Sequence, residues 1–498
     1  MRGIRMNKYI LSLDQGTTAC RSVIFDLNGR FVAISKKEFR QIYPKPGWVE
    51  HDPMEILETQ LETVREAVKS AGIEFDQIMS IGITNQRETT IVWDKDTGKP
   101  VYNAIVWQCR RTADICRQML ASGMEEYIRN NTGLVIDAYF SATKLKWILD
   151  NVPGAREKAL SGKLLFGTVD TWLLWNLSSG KCHMTDYSNA SRTMMYNIKK
   201  LQWDKDILKE LDIPESMLPS VHPSSYAYGS TKKELFGVSI PVGGIAGDQQ
   251  AALFGQTCFC EGEIKNTYGT GCFILMNTGK KPVVSQNGLI TTLCATDGEI
   301  QYALEGSIFT AGSVIKWLRD RLGIISTAEE SEKMAKEVKD TNGVVFVPAF
   351  VGLGTPYWDM GARGTIVGIT EGVNKNHIVR AALESIAWQS VDVIRLMEKE
   401  AGVQIPKLRV DGGASANDFL MQFQADTASV TVERPLIRET TALGAAYLAG
   451  LSAGAYDKDK ICTAWEADAV FTPKRSRLEV EREYVQWKKA VSRATGWC

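Results

Sequence analysis

The sequence predicts an α/β protein made of two related domains, and three observations carry that reading. Segments of strand composition alternate with amphipathic helical segments, as in the α/β class. A strand, a Gly/Thr turn and a second strand occur near the N-terminus, and the same plan returns in residues 263–276. At 498 residues the chain is too long for one hydrophobic core. The expected boundary lies near Gly255, dividing residues 1–255 from 256–498.

In order along the chain, Tyr9-Ile10-Leu11-Ser12-Leu13 and Ser22-Val23-Ile24-Phe25-Asp26 read as strands joined by the turn Asp14-Gln15-Gly16-Thr17-Thr18. Backbone N–H groups in such a turn, with Thr hydroxyls beside them, form a small anion-binding concavity, and an aspartate at its base suits Mg²⁺. An ordinary hairpin uses the same residue types for turn reasons, so these five residues alone leave both readings open. Phe31-Val32-Ala33-Ile34 reads as a third strand. A helix follows, with Asp52 as cap, Pro53 at the first position and Glu55 reaching back as in a capping box. Ile56, Leu57, Leu61, Val64 and Val68 give it one apolar face, and Gly72 ends it. A buried strand over 78–83 then runs into Thr84-Asn85-Gln86-Arg87-Glu88-Thr89-Thr90. Polar clusters at the C-terminal ends of strands are where α/β sheets place their ligands.

In the second half, Asn266-Thr267-Tyr268-Gly269-Thr270-Gly271 forms the second Gly/Thr turn. An apolar run spans 343–354, and a long amphipathic helix runs from about His377 to Ala401, capped by Asn376 and ended by Gly402. Leu408-Arg409-Val410-Asp411 is a strand entering a Gly412-Gly413 turn, with a helix beyond it. Residues 440–453 form a small-residue helix suited to close packing on a sheet.

Composition removes several function classes. Lys+Arg and Asp+Glu are both 58, so there is no global basic field for nucleic acid or an anionic membrane. The apolar run after the basic N-terminal residues stops at Asp14, too short for a signal-peptide core, and no uncharged stretch reaches membrane-span length. The expectation is a cytoplasmic protein without membrane insertion. The ten cysteines match no zinc spacing and read as reduced, buried small hydrophobes. The four histidines, His51, His183, His222 and His377, form no ligand cluster, which disfavours a His base or a His-rich metal site.

Neither G-x-x-x-x-G-K-[ST] nor a complete G-x-G-x-x-G occurs, so a P-loop is excluded and a Rossmann site disfavoured. Two Gly/Thr hairpins, a Gly-Gly turn and acidic strand ends remain. Two domains carrying these would clamp a phosphate chain across a cleft, the ribonuclease H-like (actin-like ATPase) architecture.

Longer runs carry a resemblance. They include Tyr43-Pro44-Lys45-Pro46-Gly47-Trp48-Val49-Glu50-His51, the 82–90 run, Phe166-Gly167-Thr168-Val169-Asp170-Thr171-Trp172, the 266–271 turn and Ala442-Leu443-Gly444-Ala445-Ala446. On these the chain closely resembles the FGGY carbohydrate kinases over nearly its whole length. The resemblance implies ATP-dependent phosphorylation of a short polyol, glycerol, with ATP/ADP and Mg²⁺ in the cleft. It implies that Arg87 and Glu88 bond two adjacent hydroxyls, that Tyr139 and Gln249 add polar contacts, and that Trp107 and Phe273 pack the carbon face. Asp248 matches the family's catalytic base and also contacts substrate. Thr17, Thr18, Ala19 and Arg21 match the first phosphate hairpin and Thr270 the second. Gly312, Lys316, Gly413 and Asn417 match positions around the nucleoside. Ala19 stands where the family has Ser and Lys316 where a relative has Gln. Asp14 and Asp248 would bracket Mg²⁺, mostly through waters. The family resemblance also suggests a homo-oligomer, dimer or tetramer. Residues 229–237 lack a Gly-rich, Arg-containing sugar-bisphosphate loop, and His222 does not match a regulatory His, so neither control is expected. The alternatives are a pentulose or gluconate kinase of the same family, or a nucleotide-switched actin-like binding protein.

Overall fold

The structure, a computed structural model, describes residues 8–497. Most of the basic N-terminal stretch and Cys498 lie outside the described residues.

Two mixed sheets dominate. In the first, the strands run in the order Ser225–Ser230, Pro241–Gly247, Ile78–Asn85, Tyr9–Gln15, Ala19–Asp26, Phe31–Glu38. Tyr9–Gln15 pairs antiparallel with Ala19–Asp26 and parallel with Ile78–Asn85, which pairs parallel with Pro241–Gly247. The second sheet repeats this plan around Ile264–Tyr268. That strand is antiparallel to Cys272–Gly279 and parallel to Lys407–Asp411, which is parallel to Thr431–Pro435. Tyr302–Ile308 extends the sheet beyond Cys272–Gly279. Parallel pairs need crossover connections, and these supply the helices.

The four central strands of the first sheet are buried on both faces, as their apolar runs require, while the edge strands Ser225–Ser230 and Phe31–Glu38 are largely exposed. Leu11, Leu13 and Ile24 join Ile56 and Val64 of the helix Pro53–Ala71. The alternate residues Ile10, Val23 and Phe25 join Ala442, Ala446 and Tyr447 of the helix Thr440–Ser452. A helix from the far end of the chain thus covers the N-terminal sheet. Its small residues make this possible: a Cβ on Gly82 would stand 2.1 Å from the Ala445 carbonyl oxygen, and one on Gly444 would stand 1.9 Å from that of Ala251. The helix Asp248–Gly255 lies between the two sheets, placing Ala251 and Phe254 against Ala442 and Leu253 against Leu275 and Ala303 of the second sheet.

Four local expectations need correction. The helix Pro53–Ala71 is capped by Asp52, but the Glu55 carboxylate accepts from Arg40 N–H at 2.9 Å instead of closing a capping box. The passing 38–41 segment offers it a nearer donor. The long helix spans Lys375–Ala401, and its cap is Asn374, whose side chain accepts from Asn376 and His377 N–H. Asn374 and Asn376 are the same good cap residue two positions apart, so residue type alone placed the cap two residues late. The small-residue helix ends at Ser452, with Ala453 as its cap. Of the described cysteines, Cys260 and Cys462 are exposed, which departs from an all-buried expectation.

Candidate active site

The strand Ile78–Asn85 delivers the polar run into the interior: Asn85, Gln86, Arg87, Glu88, Thr89 and Thr90 are all buried. Glu88 adopts φ 62°, a left-handed backbone rare for a side-chain-bearing residue and typical of functional sites. Its carbonyl is held by the Ser141 and Thr90 hydroxyls at 3.0 and 3.1 Å. Its carboxylate accepts from Arg192 Nε at 2.6 Å. The Arg87 guanidinium forks onto Glu305, Nη1 to Oε2 at 2.6 Å and Nη2 to Oε1 at 2.9 Å. Arg192 Nη2 reaches the same Glu305 at 3.3 Å. Burial alone would raise the Glu305 pKa, but Arg192 and Arg87 outweigh it and hold the carboxyl near 2.

Asp248 opens the helix Asp248–Gly255, with Gly247 as the cap residue. Its Oδ1 takes the Gln249 N–H at 2.8 Å and lies 3.1 Å from Arg87 Nε. Gly247 permits this approach, because a Cβ there would sit 2.8 Å from Arg87 Cδ. Gln249, nearly buried, accepts from the buried Lys265 ammonium through its Oε1. Lys265 also donates to Thr267 Oγ1 at 2.8 Å and to the Phe273 carbonyl at 3.2 Å. Burial lowers the Lys265 pKa to about 8 against the pull of Asp411, Asp248 and Glu305. Trp107 and Tyr139 meet edge-to-face with centroids 5.5 Å apart, and the Arg192 guanidinium lies 5.5 Å from the Tyr139 ring centre. Arg87, Glu88, Asp248, Tyr139 and Trp107 are thus brought together. Phe273 and Gln249 join them through Lys265.

At the first turn, Asp14 and Arg21 are cross-strand partners and form an ion pair of 2.6 Å. Arg21 also donates to Glu439 at 3.0 Å. Gly16 N–H closes the turn onto the Ala19 carbonyl at 3.0 Å; Thr17 is half-buried and Thr18 exposed. Burial pushes the Asp14 carboxyl up to about 6 against Arg21, with Glu439 and Asp248 adding to the rise. Asp14 is a buried oxygen donor at the base of the turn; no group of three or more His, Cys, Asp or Glu side chains gathers among the described residues, but Mg²⁺ asks only one or two carboxylates of a protein and takes its other oxygens from water and phosphate. The residues present therefore fit the ion that the sequence implies.

Thr270, Gly312, Lys316, Gly413 and Asn417 share the lining of a cavity of about 430 Å³. Thr17, Thr18, Ala19 and Arg21 do not line it. The second turn docks on the helix Gly312–Asp320: the Thr270 carbonyl accepts Ala311 and Ser313 N–H at 2.8 and 3.1 Å. Asn417 caps the helix Asp418–Ala428 through its side-chain oxygen, which leaves its amide nitrogen as a donor. Lys316 is exposed on its helix.

Sequence reasoning missed Glu305, Arg192, Lys265 and Glu439. Glu305 and Lys265 did carry a signal, as the single charges in the strands Tyr302–Ile308 and Ile264–Tyr268, since a charge must be paired when buried.

Two strand–Gly/Thr-turn sheets with a charged cluster between them define a sugar- or polyol-kinase scaffold, and the chain belongs to the FGGY family of carbohydrate kinases. The family's N-terminal domain matches residues 9–255 and its C-terminal domain residues 264–453. Among its relatives are glycerol kinase 2 of Thermotoga maritima, 62% identical over 98% of this chain and 99% of that protein, and glycerol kinase of Caldanaerobacter subterraneus subsp. tengcongensis, 62% identical over 99% of each. The crystal structure of Plasmodium falciparum glycerol kinase with ADP superposes with a TM-score of 0.92 at 39% identity, covering 98% of both chains. A xylulose kinase from Lactobacillus acidophilus, at TM-score 0.86 and 23% identity, shares the fold.

Proposed function

We infer that the protein transfers the γ-phosphoryl group of ATP to a terminal hydroxyl of glycerol, giving sn-glycerol 3-phosphate and ADP. The observation that carries this reading is the buried Arg87–Glu88 pair with Asp248 at 3.1 Å from Arg87, beside the Trp107–Tyr139 wall. A polyol asks for donors and acceptors side by side on a short apolar backbone, and charged groups make the stronger hydrogen bonds. The relatives named glycerol kinase, aligned over nearly the whole chain, support the same substrate.

Arg87 donates to one hydroxyl, Glu88 accepts from its neighbour, and Tyr139 extends the ladder. Gln249 has its oxygen occupied by Lys265, so it meets the substrate through its amide N–H groups. Trp107 and Phe273 bound the carbon chain and exclude water. Asp248 accepts the proton of the attacking hydroxyl as it approaches phosphorus in line. Arg87 Nε, at 3.1 Å, fixes the carboxylate that takes this proton.

Thr17, Thr18, Arg21 and Thr270 hold phosphate oxygens, with Ala19 closing the first turn. Gly312, Lys316, Gly413 and Asn417 hold the nucleoside in their shared cavity. Asp14 and Asp248 would hold Mg²⁺. When bound, it supplies neutralisation of the charge spreading over the transferred group.

Cytoplasmic action and assembly as a dimer or tetramer belong to the same proposal; light scattering after size exclusion measures the latter. Among the described residues no helix is long and apolar enough to cross a membrane. The substrate is tested by comparing turnover with glycerol, dihydroxyacetone, glyceraldehyde and xylulose. Glycerol should give the highest kcat/KM, and preference for xylulose would overturn the reading.

A further inference from the structure

Glu305 stands on the second sheet, 218 residues from Arg87 in sequence, and is fully buried. It is the point where the second half of the chain grips the charged cluster of the first. Its two oxygens take two parallel N–H bonds from Arg87, and one of them also takes Arg192. Arg192 in turn holds Glu88. The four side chains alternate in charge, and each is 3% exposed or less.

Counting donors shows what this arrangement does. Arg87 has five N–H groups in a rigid plane. Two go to Glu305, one to Gln250 at 3.3 Å, and the Nε edge faces Asp248. One Nη2 proton is left for a ligand. A guanidinium can meet a carboxylate end-on through Nη1 and Nη2 or side-on through Nε and Nη2; Glu305 takes the end-on edge, which fixes the remaining Nη2 proton and keeps the Nε edge on Asp248.

A buried ion network is a weak source of stability, since desolvation of the charges offsets most of their attraction. Orientation is what it supplies. We propose that Glu305 is a positioning residue for glycerol: by forking Arg87 across the two halves, it sets the single guanidinium proton offered to the polyol. The inference rests on Arg87 being a polyol contact.

The test measures KM for glycerol and for ATP, with kcat, in the wild type and in Glu305→Gln, Glu305→Asp and Arg87→Ala, each checked for a cooperative thermal transition. Glu305→Gln keeps the shape but loses one acceptor, and should raise glycerol KM by about tenfold or more, as expected when one partner of a buried charged pair is lost. ATP KM should stay within about twofold, a split that general loosening does not produce. Glu305→Asp keeps the charge and shortens the reach, and should show the same split at smaller size. It carries the test where Glu305→Gln does not fold. Unchanged glycerol KM in a folded Glu305 variant, or glycerol and ATP KM rising in parallel, overturns the inference. Arg87→Ala with unchanged glycerol KM, or no glycerol-dependent ADP release by the wild type, instead removes the reading beneath it.

Discussion

The indole N–H of Trp107 donates to the Thr17 hydroxyl at 3.0 Å, joining the wall of the proposed polyol pocket to the tip of the first Gly/Thr turn. The same tryptophan meets Tyr139 edge-to-face. The group proposed to bound the acceptor carbon chain and the turn proposed to hold phosphate therefore share a hydrogen bond. On that proposal, the acceptor and donor sites are coupled at this point.

Trp107→Phe keeps the ring and removes that bond. A neutral hydrogen bond contributes about 0.5–1.5 kcal/mol, or roughly 2–10-fold. Both glycerol KM and ATP KM should rise by this factor in steady-state assays. A change confined to one substrate would show that the bond does not couple the two sites.

Asp248→Asn retains shape and removes the acceptor. A general base contributes about 10²–10⁴ in rate, so kcat should fall by that amount while glycerol binding is broadly kept. Calorimetric titration with glycerol and single-turnover kinetics separate the two. An unchanged kcat would take the base role from Asp248.

Asp170 is fully buried behind the site strand, bonded to the Thr168 and Thr185 hydroxyls and to Asn85 at 3.4 Å. Burial pushes its carboxyl up to about 7, against those hydroxyl donors. The folded state thus holds a proton that the unfolded state has lost between the usual carboxylate range and pH 7. Stability therefore falls as pH rises through that window. Asp170→Asn should flatten this component and raise stability at pH 8 by about 2–4 kcal/mol, the order set by a shift of this size. Urea unfolding of both forms at pH 5 and 8 measures it; equal pH slopes would refute the assignment.

Gly444→Ala drives a Cβ into the Ala251 carbonyl on the helix that begins with Asp248. Overpacking of this kind costs about 1–3 kcal/mol or more, so the thermal midpoint should drop. A midpoint equal to the wild type would mean that the two helices are free to separate.

How much of this was legible in the sequence follows from the range of each interaction. The Gly/Thr turns, the strand Ile78–Asn85 with its polar exit and the capped helix Pro53–Ala71 are written within about ten to twenty residues, at the scale of turn and helix signals. The polar run holding Arg87 and Glu88 stands out because it closes an apolar strand, whereas the roles of Arg87, Glu88 and Asp248 are implied by the resemblance to the FGGY carbohydrate kinases. Glu305, Arg192, Lys265 and Glu439 acquire meaning only when the two sheets come together. Glu305 meets Arg87 across 218 residues and Glu439 meets Arg21 across 418, and no periodicity reports such a pairing. The placement of the helix Thr440–Ser452 on the N-terminal sheet is of the same kind. Its small residues foretold close packing, while the partner sheet depended on the chain's path.

Phosphorylation of glycerol by this protein is measured by ADP release from Mg-ATP, followed with and without glycerol. Release should rise with glycerol to saturation, with one sn-glycerol 3-phosphate formed per ADP. ADP release that is indifferent to glycerol would contradict it.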